Sequence, residues 1–221
     1  MTFKGMIFDF DGLILDTEMP GCNAWAEVFN QYGFSFTVED WKLAIGTGPT
    51  AYDPAVHINR LTGGSLDPVA LREKTKLRTQ ELIESQPILP GVVGFIKTSW
   101  QLRIPMAVAS SSNRNWVEGY LSKLGLRQYF SVVCTSDDVR NVKPDPELFL
   151  LSANRLRLQP SETIVFEDSP SGIRAAKSAG TYCIAIPNEI TKTMDLSLAD
   201  RIATSFLELD PASLLASHIN M

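Results

Sequence analysis

The chain has 221 residues, 44% of them hydrophobic and 20% charged, with 20 Lys and Arg against 25 Asp and Glu. That is long enough for one large core, or for a core with a small second domain. A net charge of −5 excludes the basic footprint of a nucleic-acid or anionic-lipid binder, and no apolar stretch approaches the roughly 18 residues of a membrane span. Carboxylates stand near the start where a signal peptide would hold its apolar region, so a cytoplasmic location is expected. Cys22, Cys134 and Cys183 are too few and too scattered for a disulfide framework and read as small apolar filler in a reducing compartment.

In chain order, a short apolar run, Met6-Ile7-Phe8, ends on Asp9-Phe10-Asp11-Gly12, as a strand terminating at a site would. Cys22, Trp25, Ala26, Phe29 and Tyr32 recur at helical spacing, and Gly33 stops that helix. From Phe34 to about Gln86 no strand pattern appears, while Leu71 to Glu84 reads as helix, so the stretch is predicted as a helical insertion. The run from Arg72 through Lys74, Lys76 and Arg78 is basic, but acids interleave it and a solvated helix face is expected. Gly46-Thr47-Gly48 is too short for a phosphate loop and reads as a turn within the insertion.

After Pro90-Gly91 helices alternate with short apolar strands. Val92 to Trp100 is predicted helical, Ile104 to Ala109 a strand ending in Ser110-Ser111-Ser112, Val117 to Leu124 a helix, and Phe130 to Cys134 a strand. Asp145 is expected to cap a helix running to Leu156, with Pro146 as its first residue. Thr163 to Phe166 is a strand running into Glu167-Asp168; Ser169-Pro170 opens a helix to Ala179; Tyr182 to Ile186 is a strand, and Arg201 to Thr204 a weaker edge strand. This alternation implies an α/β fold with a parallel sheet covered on both faces, in which ligands bind beyond the carboxyl ends of the strands. The polar clusters at Asp9 and Asp11, at Ser110 to Ser112, and at Glu167 and Asp168 should therefore converge.

Each cluster has a chemical reading and a plainer one. Asp9 and Asp11 suit a nucleophilic carboxylate with a second carboxylate as acid and base beside a metal, with Gly12 allowing a sharp turn; the alternative is a solvated acidic turn. Glu167 and Asp168 suit octahedral coordination of Mg²⁺, one directly and the other through water or a lysine, or else are acids favoured at a helix start. Ser110-Ser111-Ser112-Asn113 offers hydroxyls and helix-start amides to an anion, or merely caps a helix. Lys143, stiffened by Pro144, is placed to neutralise phosphate and restrain a carboxylate.

Together these residues resemble the haloacid dehalogenase superfamily of aspartate-dependent phosphohydrolases. Asp9-Phe10-Asp11-Gly12-Leu13-Ile14-Leu15-Asp16-Thr17-Glu18 looks like its first motif, Ser110 like its second, Lys143 in Lys-Pro-Asp-Pro like its third, and Glu167-Asp168-Ser169 with Gly172 like its fourth. The resemblance implies a Rossmann-like core of residues 1–15 and 87–221, with a small helical cap of residues 16–86 inserted after the first strand, as in the beta-phosphoglucomutase-like branch. It implies that Asp9 attacks phosphorus to give an aspartyl phosphate and that Asp11 serves as acid and then base. Mg²⁺ would sit at Asp9, the Asp11 carbonyl and Asp168, with Glu167 beside it, while Ser110, Ser111, Lys143 and Gly12 receive the phosphate.

The resemblance departs from the mutases at two cap positions. Their cap histidine aligns with Gly21 and their cap lysine with Ile45, and His57 and His218 stand elsewhere as surface or packing residues. The expected function is therefore a Mg²⁺-dependent phosphatase of a sugar phosphate or similar small phosphomonoester, with a hexose phosphate mutase as the alternative. Its partner would be a small phosphorylated metabolite, with no nucleic acid or membrane, and the protein a monomer or weak homodimer.

Overall fold

In the computed structural model, residues 2–44 and 52–216 are described, so Ile45, the turn at Gly46-Thr47-Gly48 and His218 lie outside them. In chain order the described residues form β1 (Gly5–Phe8), α1 (Glu18–Gln31), α2 (Val38–Ala44), α3 (Pro54–Leu61) and α4 (Pro68–Glu84). There follow α5 (Val92–Gln101), β2 (Met106–Ala109), α6 (Arg114–Lys123), β3 (Val132–Cys134), α7 (Glu147–Arg155), β4 (Thr163–Glu167), α8 (Pro170–Ser178), β5 (Tyr182–Ala185), β6 (Arg201–Ile202) and α9 (Pro211–Ala216). The chain divides into two units, Met1–Leu15 with Ile88–Met221, and Asp16–Pro87.

The first unit holds one parallel sheet in the order β3-β2-β1-β4-β5-β6. Every residue of β1, β2 and β4 is buried, as strands covered on both faces must be. Succession reverses beside β1, which pairs with β2 on one side and β4 on the other, so a crevice opens at the carboxyl ends of β1 and β4. The ends of the elements differ from expectation for local reasons. β2 starts at Met106 because Pro105 has no N–H for the ladder and contributes only its carbonyl, to the Met6 N–H at 3.1 Å. The cap of α7 is Pro146 rather than Asp145, with Glu147 first in the helix, although the Asp145 carboxylate still accepts the Glu147 N–H at 3.0 Å. β6 keeps only two exposed residues of the predicted edge strand.

Alternation along the strands divides the core between the two faces of the sheet. On one, Phe8 and Phe166 are partners in register and gather Phe95, Phe130 and Phe206, with ring centroids 4.9 to 6.1 Å apart. On the other, Ile7, Ala107, Val165 and Cys183 pack against Leu148 and Phe149 of α7 and Ala175 and Ala176 of α8. Cys22, Cys134 and Cys183 are all buried free thiols, in keeping with their reading as apolar filler.

The second unit is helical in its described residues and has its own core of Cys22, Trp25, Val28, Phe29, Phe36, Ala55, Ile58 and Leu71. α1 begins at Glu18, earlier than its apolar stripe suggests, because Asp16 Oδ1 accepts the Glu18 and Met19 N–H groups at 3.1 and 3.0 Å and Pro20 is tolerated in a first turn. Gly21 is a packing position: a Cβ there would stand 2.8 Å from Cζ2 of Trp41, whose Nε1 donates to Glu18 Oε2 at 3.1 Å. His57 packs edge-on against Phe29 and meets the Tyr52 hydroxyl through Nδ1. Arg72, Lys74 and Lys76 lie exposed on α4, a solvated face as expected.

Asp138 fastens the turn after β3. Its Oδ2 accepts the Thr135 N–H at 2.9 Å and Arg114 Nη2 at 2.6 Å, and its Oδ1 accepts Arg155 Nη2 at 3.0 Å. Burial would raise this carboxyl, but the Thr135 amide and the two guanidiniums outweigh it and hold the group below its ordinary value of 3.8. A depressed carboxyl adds stability above its unfolded pKa and loses it as pH falls through the folded one. Asp138→Asn is therefore expected to cost about 1–2 kcal/mol at pH 7 in urea unfolding, with the gap to wild type closing below about pH 4. A gap independent of pH would refute the assignment.

Candidate active site

The site is assembled at the strand ends from segments far apart in sequence. Asp9 follows β1 directly, its N–H donating to the Phe166 carbonyl at 3.0 Å, and its side chain is buried. Lys143, on the loop between β3 and α7, donates from Nζ to Asp9 Oδ1 and, at 2.7 Å, to Glu167 Oε1. The loop is held for this purpose: Glu147 Oε2 accepts the Arg140 and Asn141 N–H groups at 3.0 Å each. The ammonium is also 5.0 Å from the centroid of the Phe149 ring.

Glu167 ends β4 with none of its surface exposed. Its Oε2 accepts the Asp168 N–H, the Ser169 N–H and the Ser169 hydroxyl, each at 3.0 Å, while Oε1 takes Lys143. Gly172 makes room for this carboxylate, since a Cβ there would fall 1.7 Å from Oε1. Asp168 accepts Asn188 Nδ2 at 2.7 Å, and the same amide reaches the Gly12 carbonyl at 3.2 Å. Gly12 has φ of +78°, and a Cβ on it would lie 2.6 Å from Asp168 Oδ2, so both conformation and space demand glycine.

Asp11 turns to a different set of partners. Its Oδ2 accepts the Ser110 and Ser112 hydroxyls at 3.0 and 2.7 Å, and its Oδ1 accepts the Trp116 indole N–H at 2.9 Å. Ser110 is wholly buried and also accepts the Ser112 N–H at 3.0 Å. Ser111 is exposed, and Ser112 supplies the second hydroxyl at Asp11. The three polar clusters do converge, through Asp11 with Ser110 and through Lys143 with Asp9 and Glu167.

Asp9, Glu167 and Asp168 each offer one carboxylate oxygen, and these oxygens lie within 4.8 Å of one another. Burial raises the Asp9 carboxyl to about 8, with Glu167 and Asp11 adding to the rise and Lys143 opposing it. Burial alone would lower Lys143, but Asp9 and Glu167 outweigh it and keep the ammonium charged. Two of the three buried acids, Asp9 and Glu167, share one lysine, and the cluster of hard oxygen donors fits a hard divalent cation such as Mg²⁺. Both oxygens of Glu167 already accept protein donors, three at Oε2 and Lys143 at Oε1.

Sequence reasoning did not single out Trp116 or Asn188. Trp116 lies one residue before the apolar stripe of α6 and carries no motif, and Asn188 after Pro187 has the appearance of an ordinary turn residue.

Residues 6–186 match the family described as haloacid dehalogenase-like hydrolase. The chain is 38% identical to YhcW of Bacillus subtilis over 217 residues, 98% of each protein. It is 43% identical to the fructose-1-phosphate phosphatase YqaB of Escherichia coli over 185 residues, 83% of this chain and 96% of that one. The crystal structure of CbbY from Rhodobacter sphaeroides in complex with phosphate is similar with a TM-score of 0.74 and 27% identity, covering 98% of this chain and 100% of that chain.

Removing the shared cation should be costly. Lys143→Met is expected to destabilise the protein by about 3–5 kcal/mol in urea unfolding, because it strands buried carboxylates. Lys4→Met, which removes an exposed pair with Glu162, should cost far less. Equal losses would refute the burial argument.

Proposed function

The chain belongs to the haloacid dehalogenase-like hydrolase family, and from that premise we propose that it is a Mg²⁺-dependent phosphatase of a sugar phosphate or similar small phosphomonoester. The observation that carries this reading is the buried Asp9, bridged by Lys143 to Glu167 beside Asp168 and one residue from an Asp11 held by Ser110. A nucleophile, an acid, a cation and hydroxyl donors thus meet at the strand ends. The name of the Escherichia coli relative, a fructose-1-phosphate phosphatase, supports a sugar phosphate as substrate.

In this mechanism Lys143 holds Asp9 Oδ1, and Oδ2 of the same carboxylate attacks phosphorus. The bond from phosphorus to the leaving oxygen breaks as Asp11 delivers a proton to that oxygen. Asp11 then takes a proton from the water that attacks the aspartyl phosphate, releasing inorganic phosphate and restoring Asp9. Lys143 has three N–H donors, two of them given to Asp9 and Glu167, so the third can meet a phosphoryl oxygen alongside the Ser110 hydroxyl. Mg²⁺ held by Asp9 and Asp168, with the Asp11 carbonyl, supplies positive charge that favours the ionised nucleophile and balances the phosphoryl group. Phosphoryl transfer depends mainly on positioning and charge, which this set provides.

On this reading the helical unit Asp16–Pro87 is the family's substrate-selecting cap. Gly21 favours hydrolysis over phosphoryl return to a sugar: the mutase histidine aligns here, and the Trp41 indole occupies the space a side chain would need. The same reading places the protein in the cytoplasm as a monomer or weak homodimer that engages neither nucleic acid nor membrane. Among the described residues no helix is long and apolar enough to cross a membrane.

The test is phosphate release from a panel of sugar phosphates, nucleotides and other phosphomonoesters, with Mg²⁺ and with chelator. Release is expected with Mg²⁺ alone, and Asp9→Asn should reduce it by at least about a thousandfold. Activation by a sugar bisphosphate with no net phosphate release would indicate the mutase instead.

A further inference from the structure

We propose that Trp116 is a positioning residue for Asp11, holding one carboxylate oxygen so that the other exchanges the proton with substrate and water. The inference rests on the phosphatase reading above, in which Asp11 is the acid and base and Ser110 receives the phosphoryl group.

The two oxygens of Asp11 have different partners. Oδ1 accepts the Trp116 indole N–H at 2.9 Å, whereas Oδ2 accepts the Ser110 and Ser112 hydroxyls at 3.0 and 2.7 Å. An indole N–H donates and never accepts, while a hydroxyl does both. The oxygen facing Trp116 is therefore kept as an acceptor, and the proton of a general acid belongs on Oδ2. Oδ2 is also the oxygen beside Ser110, on the side where the phosphoryl group is received.

A second argument comes from counting protons. Ser110 has one hydroxyl proton and cannot give it to Asp11 and to a phosphoryl oxygen together. When a phosphoryl oxygen accepts the Ser110 hydrogen bond instead, Oδ2 loses a donor, and the bond from Trp116 to Oδ1 keeps the carboxyl aimed. In the first step the Oδ2 proton passes to the leaving oxygen as its bond to phosphorus breaks; in the second, Oδ2 receives a proton from the attacking water.

The indole is well placed to resist displacement. Trp116 meets Tyr120 edge-on with ring centroids 4.8 Å apart, and Tyr120 lies 6.5 Å from Phe10, the residue between the two aspartates. The backbone N–H of Trp116 is capped by Asn113 Oδ1 at 3.0 Å, which fixes the first turn of α6. An aromatic side chain has few torsions to freeze, so a held donor costs little entropy.

Trp116→Phe keeps a ring against Tyr120 and deletes the N–H. With Mg²⁺ present, the rate of the first step, read in single turnover as release of the leaving group, is expected to fall about 10- to 100-fold for a sugar phosphate, whose alkoxide needs a proton, and less than about threefold for p-nitrophenyl phosphate, whose phenolate leaves without one. KM should change little for either. In an Asp11→Ala background the same substitution should cause no further loss with the sugar phosphate. A readout independent of turnover is the indole N–H spectrum of ¹⁵N-labelled protein, in which four tryptophans give four signals. The signal missing from Trp116→Phe should move in Asp11→Ala. An unmoved signal, or equal losses with both esters in that first step, overturns the assignment of Trp116 alone. No turnover of either ester by the wild type, with the signal still moving, overturns the phosphatase reading and the positioning role with it.

Discussion

The site depends on one buried ammonium. Lys143 binds two carboxylates that would otherwise repel each other and resist leaving water, Asp9 after β1 and Glu167 at the end of β4. Its hold extends further, because the Glu167 oxygen turned from the lysine accepts the Asp168 and Ser169 amides that open α8. One side chain thereby ties a loop to two strands and to a helix start. With Asp168 beside the pair, such an arrangement sets three carboxyl groups against one ammonium in a low-dielectric place.

The sheet supplies the geometry that this charge needs. Parallel strands deliver their carboxyl ends to the same edge, and the reversal of strand order beside β1 separates the connections so that a crevice remains. Two glycines then let the groups approach. Gly12 adopts a backbone that side chains rarely reach and sits against Asp168, while Gly172 lies under Glu167. In both places the residue is required by what its neighbour must do, and alanine would displace a carboxylate of the cluster.

Much of this was readable before any coordinates. Apolar runs that stop on acids or serines, such as Ile164-Val165-Phe166 before Glu167, expose where strands end and where a parallel sheet gathers its polar residues. Lys143 was legible because the prolines that follow it, Pro144 and Pro146 on either side of Asp145, mark a stiff loop. The remainder depends on contacts that leave no periodic trace. Trp116 and Asn188 reach Asp11 and Asp168 across 105 and 20 positions, and a lone tryptophan or asparagine has no spacing to betray that. The start of α1 was missed because a side chain before the helix, Asp16, sets it, and the apolar stripe begins only later. Gly21 shows the same limit from another side, since only the indole of Trp41 explains the absence of a side chain there.

The span of these contacts has a kinetic meaning. Lys143 and Asp9 are separated by 134 positions, and Ser110 and Asp11 by 99. No local segment can form either pair, and both must await closure of long loops and alignment of β1 with its neighbours. A partly folded chain with its helices in place would still lack a competent centre. Recovery of catalytic competence during refolding is thus tied to the last ordering of the sheet edge, and activity becomes a strict reporter of complete folding.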